Sequence, residues 1–173
     1  MQQNELNNLD PEFKEAIDAV LRACADDGYT LRPYCGVRDP WEQARLWRRS
    51  RSTAEVQHGI EFLKSVKAPF LASILQDVGP QAPDKWRTSA LPGQSWHQWG
   101  LAVDCVVMEK NGNSNWNAGH PGYQCYAQHA HEAGLVPGLF WQKMDAVHVQ
   151  ATIGRVIDAN TWPTIDAAMR ERF

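Results

Sequence analysis

One carboxylate stands in the middle of an apolar run, Leu101-Ala102-Val103-Asp104-Cys105-Val106-Val107. A run this short and this rich in valine reads as a strand. Alternation puts Ala102, Asp104 and Val106 on one face and Leu101, Val103, Cys105 and Val107 on the other. A charge in so apolar a strand is costly unless it is paired or bound to metal. The fold must therefore bring Asp104 a partner.

Two imidazoles are placed to serve. If His97 and Asp104 lay on one strand they would face opposite sides about 23 Å apart. The chain must turn between them, and Gly100 supplies the permissive backbone. Val147-His148-Val149 reads as a second short strand, with Asp145 at its mouth. Taken singly, each of these side chains is ordinary: a loop histidine is usually just partly exposed, and an aspartate caps or pairs. Taken together, His97, Asp104 and His148 suffice for a three-ligand zinc site with an open fourth position. Asp145 is left over as a carboxylate within reach of a water at that metal. The combination reads as a metallohydrolase.

The remaining chain reads as mixed α and β. Asp10-Pro11 supplies an N-cap and a proline at the first helical position. Phe13, Ile17, Val20, Leu21 and Cys24 repeat at helical spacing until Gly28. Thr30 to Val37 reads as a strand interrupted by Pro33, which suggests an edge or a bulge. Asp39-Pro40-Trp41-Glu42 opens a second helix with capping-box character, running to about Ser50. Ser52 to Val78 reads as two helical pieces split before Pro69. Gln81 to Gln94 and Asn111 to Gly122 read as loops, Tyr123 to Glu132 as a helix stopped by Gly134, and Thr161-Trp162-Pro163 as the cap of a last helix. The expected architecture is α+β, a small antiparallel sheet flanked by helices, in one domain over 1–173 with a helical insertion at about 50–80.

Composition narrows the function classes. At 173 residues one domain suffices, burying about 70% of its unfolded surface. Seventeen basic against twenty acidic residues give a net charge of −3, so no basic field for nucleic acid exists. No apolar run is long enough to span a membrane. Cys24, Cys35, Cys105 and Cys125 form no C-x-x-C pair, three of them sit at apolar positions, and the reading favours free thiols over a disulfide. His58 and His120 read as surface groups. His129 and His131, two apart on a helix, share no face and make no second metal site between them. Trp41, Trp47 and Trp162 fit core-facing helix positions, while Trp96, Trp99 and Trp141 cluster in sequence with the site.

Ser95-x-His97-x-x-Gly100-x-Ala102-x-Asp104 with a later Asp145-x-x-His148 resembles the zinc D,D-carboxypeptidase and L-alanyl-D-glutamate endopeptidase family, peptidoglycan-cleaving metallopeptidases of hedgehog-type fold that include many phage endolysins. Gly36-Val37-Arg38 and Glu42-Gln43-Ala44-Arg45-Leu46 resemble that family upstream. Ala133-Gly134-Leu135, Trp141 and His148-Val149-Gln150 resemble it downstream. The motifs span Arg32 to Gln150, about two-thirds of the chain. Two departures are visible: Val37 stands where an aromatic often precedes the arginine, and the stretch from Leu46 to Thr88 is longer than expected.

The resemblance implies one Zn2+ on His97, Asp104 and His148, with Asp145 as general base and Arg38 stabilising the oxyanion. Against that, Arg38 by itself reads equally as a surface arginine paired with Asp39 or Glu42. Gln43 and Ser95 are candidates for substrate binding, Gln43 with packing or capping as the alternative and Ser95 with a turn role. The expected partner is the stem peptide of bacterial peptidoglycan, and the expected state is a monomer. Met1-Gln2-Gln3-Asn4-Glu5 lacks the basic and apolar regions of a signal peptide. Synthesis in the cytoplasm and arrival at a wall by another route are expected. Three readings follow: an endolysin-like L-alanyl-D-glutamate endopeptidase, a D,D-carboxypeptidase or dipeptidase, and a non-catalytic metal-bearing binding domain.

Overall fold

Caps and breakers divide the chain where the sequence places them. The computed structural model describes residues 4–79 and 87–173. In order these form α1 (Pro11–Asp26), β1 (Thr30–Cys35), α2 (Pro40–Arg48), α3 (Thr53–Ser65), α4 (Pro69–Asp77), β2 (Ala102–Met108), β3 (Ser114–Asn115), α5 (Pro121–Glu132), β4 (Val136–Pro137), β5 (His148–Gln150), α6 (Val156–Ala159) and α7 (Trp162–Arg172), with short 3-10 turns between some of them. The strands make one antiparallel sheet ordered β1-β2-β5-β4, with β3 also pairing β2. The fold is α+β, as expected.

Contacts divide the chain into two compact units, one of residues 1–37 and 99–153, the other of 38–98 and 154–173. The first holds the sheet. Asp10 caps α1 through the N–H groups of Glu12 and Phe13, and Gly28 ends it at φ +87°. Phe13, Ile17, Val20 and Cys24 form a buried stripe that joins Val103, Cys105 and Val107 of β2, Tyr123, Tyr126 and Ala130 of α5, and Val149. Each large apolar side chain of this core contributes about 1.5–3 kcal/mol by leaving water. With Val103, Cys105 and Val107 committed to that core, the alternation of β2 turns Asp104 to the opposite face. Pro33 lies on an edge strand, and the pairing of β1 with β2 slips between Pro33 and Cys35. A residue without an N–H is tolerated at just such a place.

The second unit is helical. Asp39 caps α2 by accepting from the Glu42 N–H. Ser52 and Glu55 close a reciprocal capping box on α3. Trp47, Val56, Ile60, Leu63, Leu71, Leu75, Ile165 and Met169 are buried there. At Gly59 an added Cβ would lie 2.8 Å from the Trp47 ring, so the close approach of α2 and α3 needs a glycine. Helix α4 has no capping side chain of its own. The carboxylate of Asp166, on α7, accepts from the Leu71 N–H at 2.9 Å instead.

Several sequence expectations need amendment. The loop over Asn111–Gly122 contains β3, and α5 starts two residues earlier than expected, at Pro121. His120 is its N-cap, its Nδ1 accepting from the Gly122 N–H at 3.0 Å, and not simply a surface group. Strand β4 and helix α6 have no counterpart in the sequence expectation. The loop expected from Gln81 is described only from Arg87 onward, its earlier residues lying outside the described ones. All four cysteines are free thiols.

Candidate active site

The first unit contributes a buried acid–imidazole pair. Asp104 on β2 stands opposite His148 on β5 in the antiparallel register. His148 Nδ1 lies 3.0 Å from Asp104 Oδ1, and the two residues are only 9% (Asp104) and 8% (His148) exposed. The other ring nitrogen, Nε2, lies 3.1 Å from Gln150 Oε1. On the other side of β2, Cys35 is the register partner of Asp104. Burial pulls the His148 pKa down, but the hydrogen bond and charge of Asp104, aided by the charge of Asp145 and by Gln150, outweigh it and hold it above the ordinary imidazole value. Asp104 thus has the partner that its apolar strand demands.

Asp145 sits at the mouth of β5, exposed to solvent. Its N–H donates to the Gly138 carbonyl at 2.9 Å, and its own carbonyl accepts from the His148 N–H at 3.2 Å. Gly138 is essential to this turn. A Cβ there would meet the Asp145 carbonyl oxygen at 2.6 Å and the His148 Cβ at 3.2 Å. The Trp141 ring lies 5.0 Å from the imidazole of His148 and is 38% exposed. Phe140 and Met144 are exposed beside it in sequence, an apolar stretch next to a buried polar pair.

In the second unit His97 belongs to a 3-10 turn, Trp96–Trp99, and is 3% exposed. Gln98, fully buried, holds the approach to that turn by accepting from the Gly93 N–H at 2.8 Å and the Ser95 N–H at 3.4 Å. The His97 carbonyl accepts from the Arg38 N–H at 3.3 Å. The Arg38 guanidinium donates to Gln43 Oε1 at 3.0 Å. Gln43 is wholly buried, and its Nε2 donates to the Ala90 carbonyl at 2.8 Å. Ser95 is half-buried at the entrance to the same turn. Gly100, just after it, adopts φ +73°, the left-handed geometry that the turn between His97 and the β2 strand calls for.

The structure therefore brings Asp104, His148 and Asp145 together in one unit. In the other it brings Arg38, Gln43 and the backbone of His97 together. Three supporting residues do not stand out in the sequence as site components. Gln150 enters there only within a motif, although an amide two residues along a strand shares the face of His148. Gln98 shows no signal but its place beside His97. Gly138 is one glycine among twelve, with no sequence mark to separate it from an ordinary turn residue.

The family described as VanY: D-alanyl-D-alanine carboxypeptidase matches residues 6–151. Comparison with curated proteins gave no match. Among solved structures the chain is similar to the LdcB LD-carboxypeptidase, whose structure is described as revealing the molecular basis of peptidoglycan recognition. The two are 14% identical with a TM-score of 0.51, over 99% of this chain and 68% of that one. It is also similar to the L-Ala D-Glu endopeptidase ChiX of Serratia marcescens, with 19% identity and a TM-score of 0.43 over 87% and 86% of the two chains. A mutant of the vancomycin resistance D,D-pentapeptidase VanY in complex with Zn(II) gives 17% and 0.48 over 97% and 82%. At such identities the likeness to LdcB speaks for the fold alone.

Proposed function

The chain belongs to the VanY D-alanyl-D-alanine carboxypeptidase family, and we propose accordingly that it is a zinc-dependent peptidoglycan hydrolase cutting an amide bond of the stem peptide, at L-alanyl-D-glutamate in the endolysin manner. The observation that carries this reading is the buried Asp104–His148 pair, aligned across β2 and β5 with Asp145 at its edge. A structural metal needs no second carboxylate of that kind.

The donor chemistry fits zinc. Asp104 and His148 are buried, mutually oriented, and of the oxygen and nitrogen types zinc prefers; His97 is the remaining imidazole of the motif and is equally shielded from solvent. These three side chains would hold the ion. When bound, zinc would polarise a carbonyl and lower the pKa of water toward about 7. Gln150 orients the His148 ring through its second nitrogen, the usual task of an outer partner. Asp145 takes the proton of the attacking water and returns it to the leaving amine. Arg38 stabilises the charge growing on the carbonyl oxygen, a role in which losing one donor costs ~2.7–4 kcal/mol. Gln43 reaches the reaction through Arg38, which it holds in place, rather than by touching substrate. Ser95 offers its hydroxyl to the peptide, and Trp141 forms an apolar wall beside His148.

The description of the matching family favours a second reading, release of a terminal D-alanine. Digestion of purified peptidoglycan with mass spectrometry of the new termini decides between them. New N-terminal D-glutamate supports the endopeptidase, released D-alanine supports the carboxypeptidase, and no product from zinc-loaded protein contradicts both.

A further inference from the structure

Away from the site just described, helices α1 and α5 bring four metal-binding side chains to one spot. Cys24 and Asp27 are three apart, in the last turn of α1 and at its cap. Cys125 and His129 are four apart on α5. Residues at these spacings share a helical face. Asp27 Oδ2 receives two groups at once: His129 Nε2 at 2.8 Å and the Cys125 thiol at 3.6 Å. The candidate donor atoms of Asp27, Cys125 and His129 all lie within 4.8 Å of one another. Cys24 is buried on α1, one turn before Asp27.

We propose that Asp27, Cys125 and His129 form a second, thiolate-containing site for a divalent transition metal of the zinc class. The donor set is one sulfur, one nitrogen and one oxygen, which suits zinc or cobalt and not the all-oxygen preference of calcium or magnesium. A cation there takes the place of the protons that now bridge Cys125 and His129 to Asp27. The helix dipole agrees. An aspartate at the C-terminal end of α1 is a poorly placed charge by itself, whereas a cation at that end is favoured. Glu132, whose Oε2 lies 3.6 Å from His129 Nδ1, orients the imidazole from outside, as carboxylates do for metal-bound histidines. On binding, Cys125 releases its thiol proton and His129 binds as neutral imidazole, so two protons leave at most and no electron moves. Burial and neighbouring acid hold the Cys125 pKa above that of a free thiol, so affinity rises with pH. His129 and His131 still share no face; the partners of His129 come from α1 and from one turn back on α5.

The test is cobalt(II) titration of the reduced full-length protein, following the near-ultraviolet thiolate-to-cobalt absorption and the equivalents bound. We expect two equivalents for the unaltered chain, and one equivalent without the thiolate band for Cys125→Ser and for His129→Ala, both with peptidoglycan hydrolysis unchanged. Cys35→Ser, beside Asp104 in the sheet, is the control and keeps the band. His148→Ala keeps it too, so the outcome is independent of the hydrolase reading. As a second readout, zinc should raise the melting temperature of His148→Ala but not of the double variant with His129→Ala. No thiolate band in the unaltered chain, or a band that survives Cys125→Ser, overturns the proposal and leaves Asp27 and His129 as an ion pair.

Discussion

Among single residues, His148 and Asp145 should separate binding from chemistry. His148→Ala loses both metal and turnover, because an imidazole ligand disappears and Asp104 loses its hydrogen bond to that ring. Asp145→Ala keeps zinc and loses hydrolysis. Metal analysis beside a peptidoglycan assay reads both, and normal turnover by Asp145→Ala would remove it as general base. Arg38→Ala should lower kcat by about 10²–10³ with zinc retained. Gln43→Ala should lower kcat less and also destabilise the fold by about 1–3 kcal/mol, since it strips partners from the Ala90 carbonyl and from Arg38. The titration of His148 has a definite sign. Its folded pKa is raised in the metal-free protein, so the stability it contributes is full below the unfolded value near 6.5 and is lost as pH rises through the higher folded value. In chelator, the melting-temperature advantage of the unaltered chain over His148→Ala should therefore shrink across that window. An advantage that grows with pH would contradict the pairing with Asp104.

Among the helices and strands, the position of β5 and its approach depend on Gly138. Gly138→Ala should displace Asp145 and His148, so reduced zinc retention is expected with the α1–β2 core intact, as metal content and circular dichroism would reveal. Asp10→Ala removes the α1 cap and should cost about 0.5–2 kcal/mol in denaturant unfolding, without effect on zinc. Elements carried by local chemistry are legible in the sequence. Asp10-Pro11 and Asp39-Pro40 open helices where expected, and Pro33 marks the irregular edge strand. What stays hidden is non-local. Strands β3 and β4 are two residues each, too short for any periodicity. The α4 cap comes from Asp166, 95 residues away, and no local pattern announces it. Likewise Gln43 reads as a substrate-binding candidate, with packing or capping as the alternative, because it lies in a segment that resembles the family, whereas the Ala90 carbonyl that accepts from its amide is not visible in the sequence.

For the molecule as a whole, the sheet exists to bury Val103, Cys105 and Val107 on one side of β2, and that commitment presents Asp104 on the other. Fold and site are thus coupled through a single strand. No helix among the described residues is long and apolar enough to cross a membrane. The near balance of charge provides no general attraction to an anionic wall, so the proposed function would draw its recognition from local contacts, for which Trp141 and Ser95 are the proposed side chains. The proposed catalysis turns on one zinc ion held by His97, Asp104 and His148. Anomalous scattering at the zinc edge from crystals of the metal-loaded protein tests it directly. A peak about 2.0–2.2 Å from a donor atom of each of the three is predicted; no peak there, or side chains too far apart to share one ion, would contradict it.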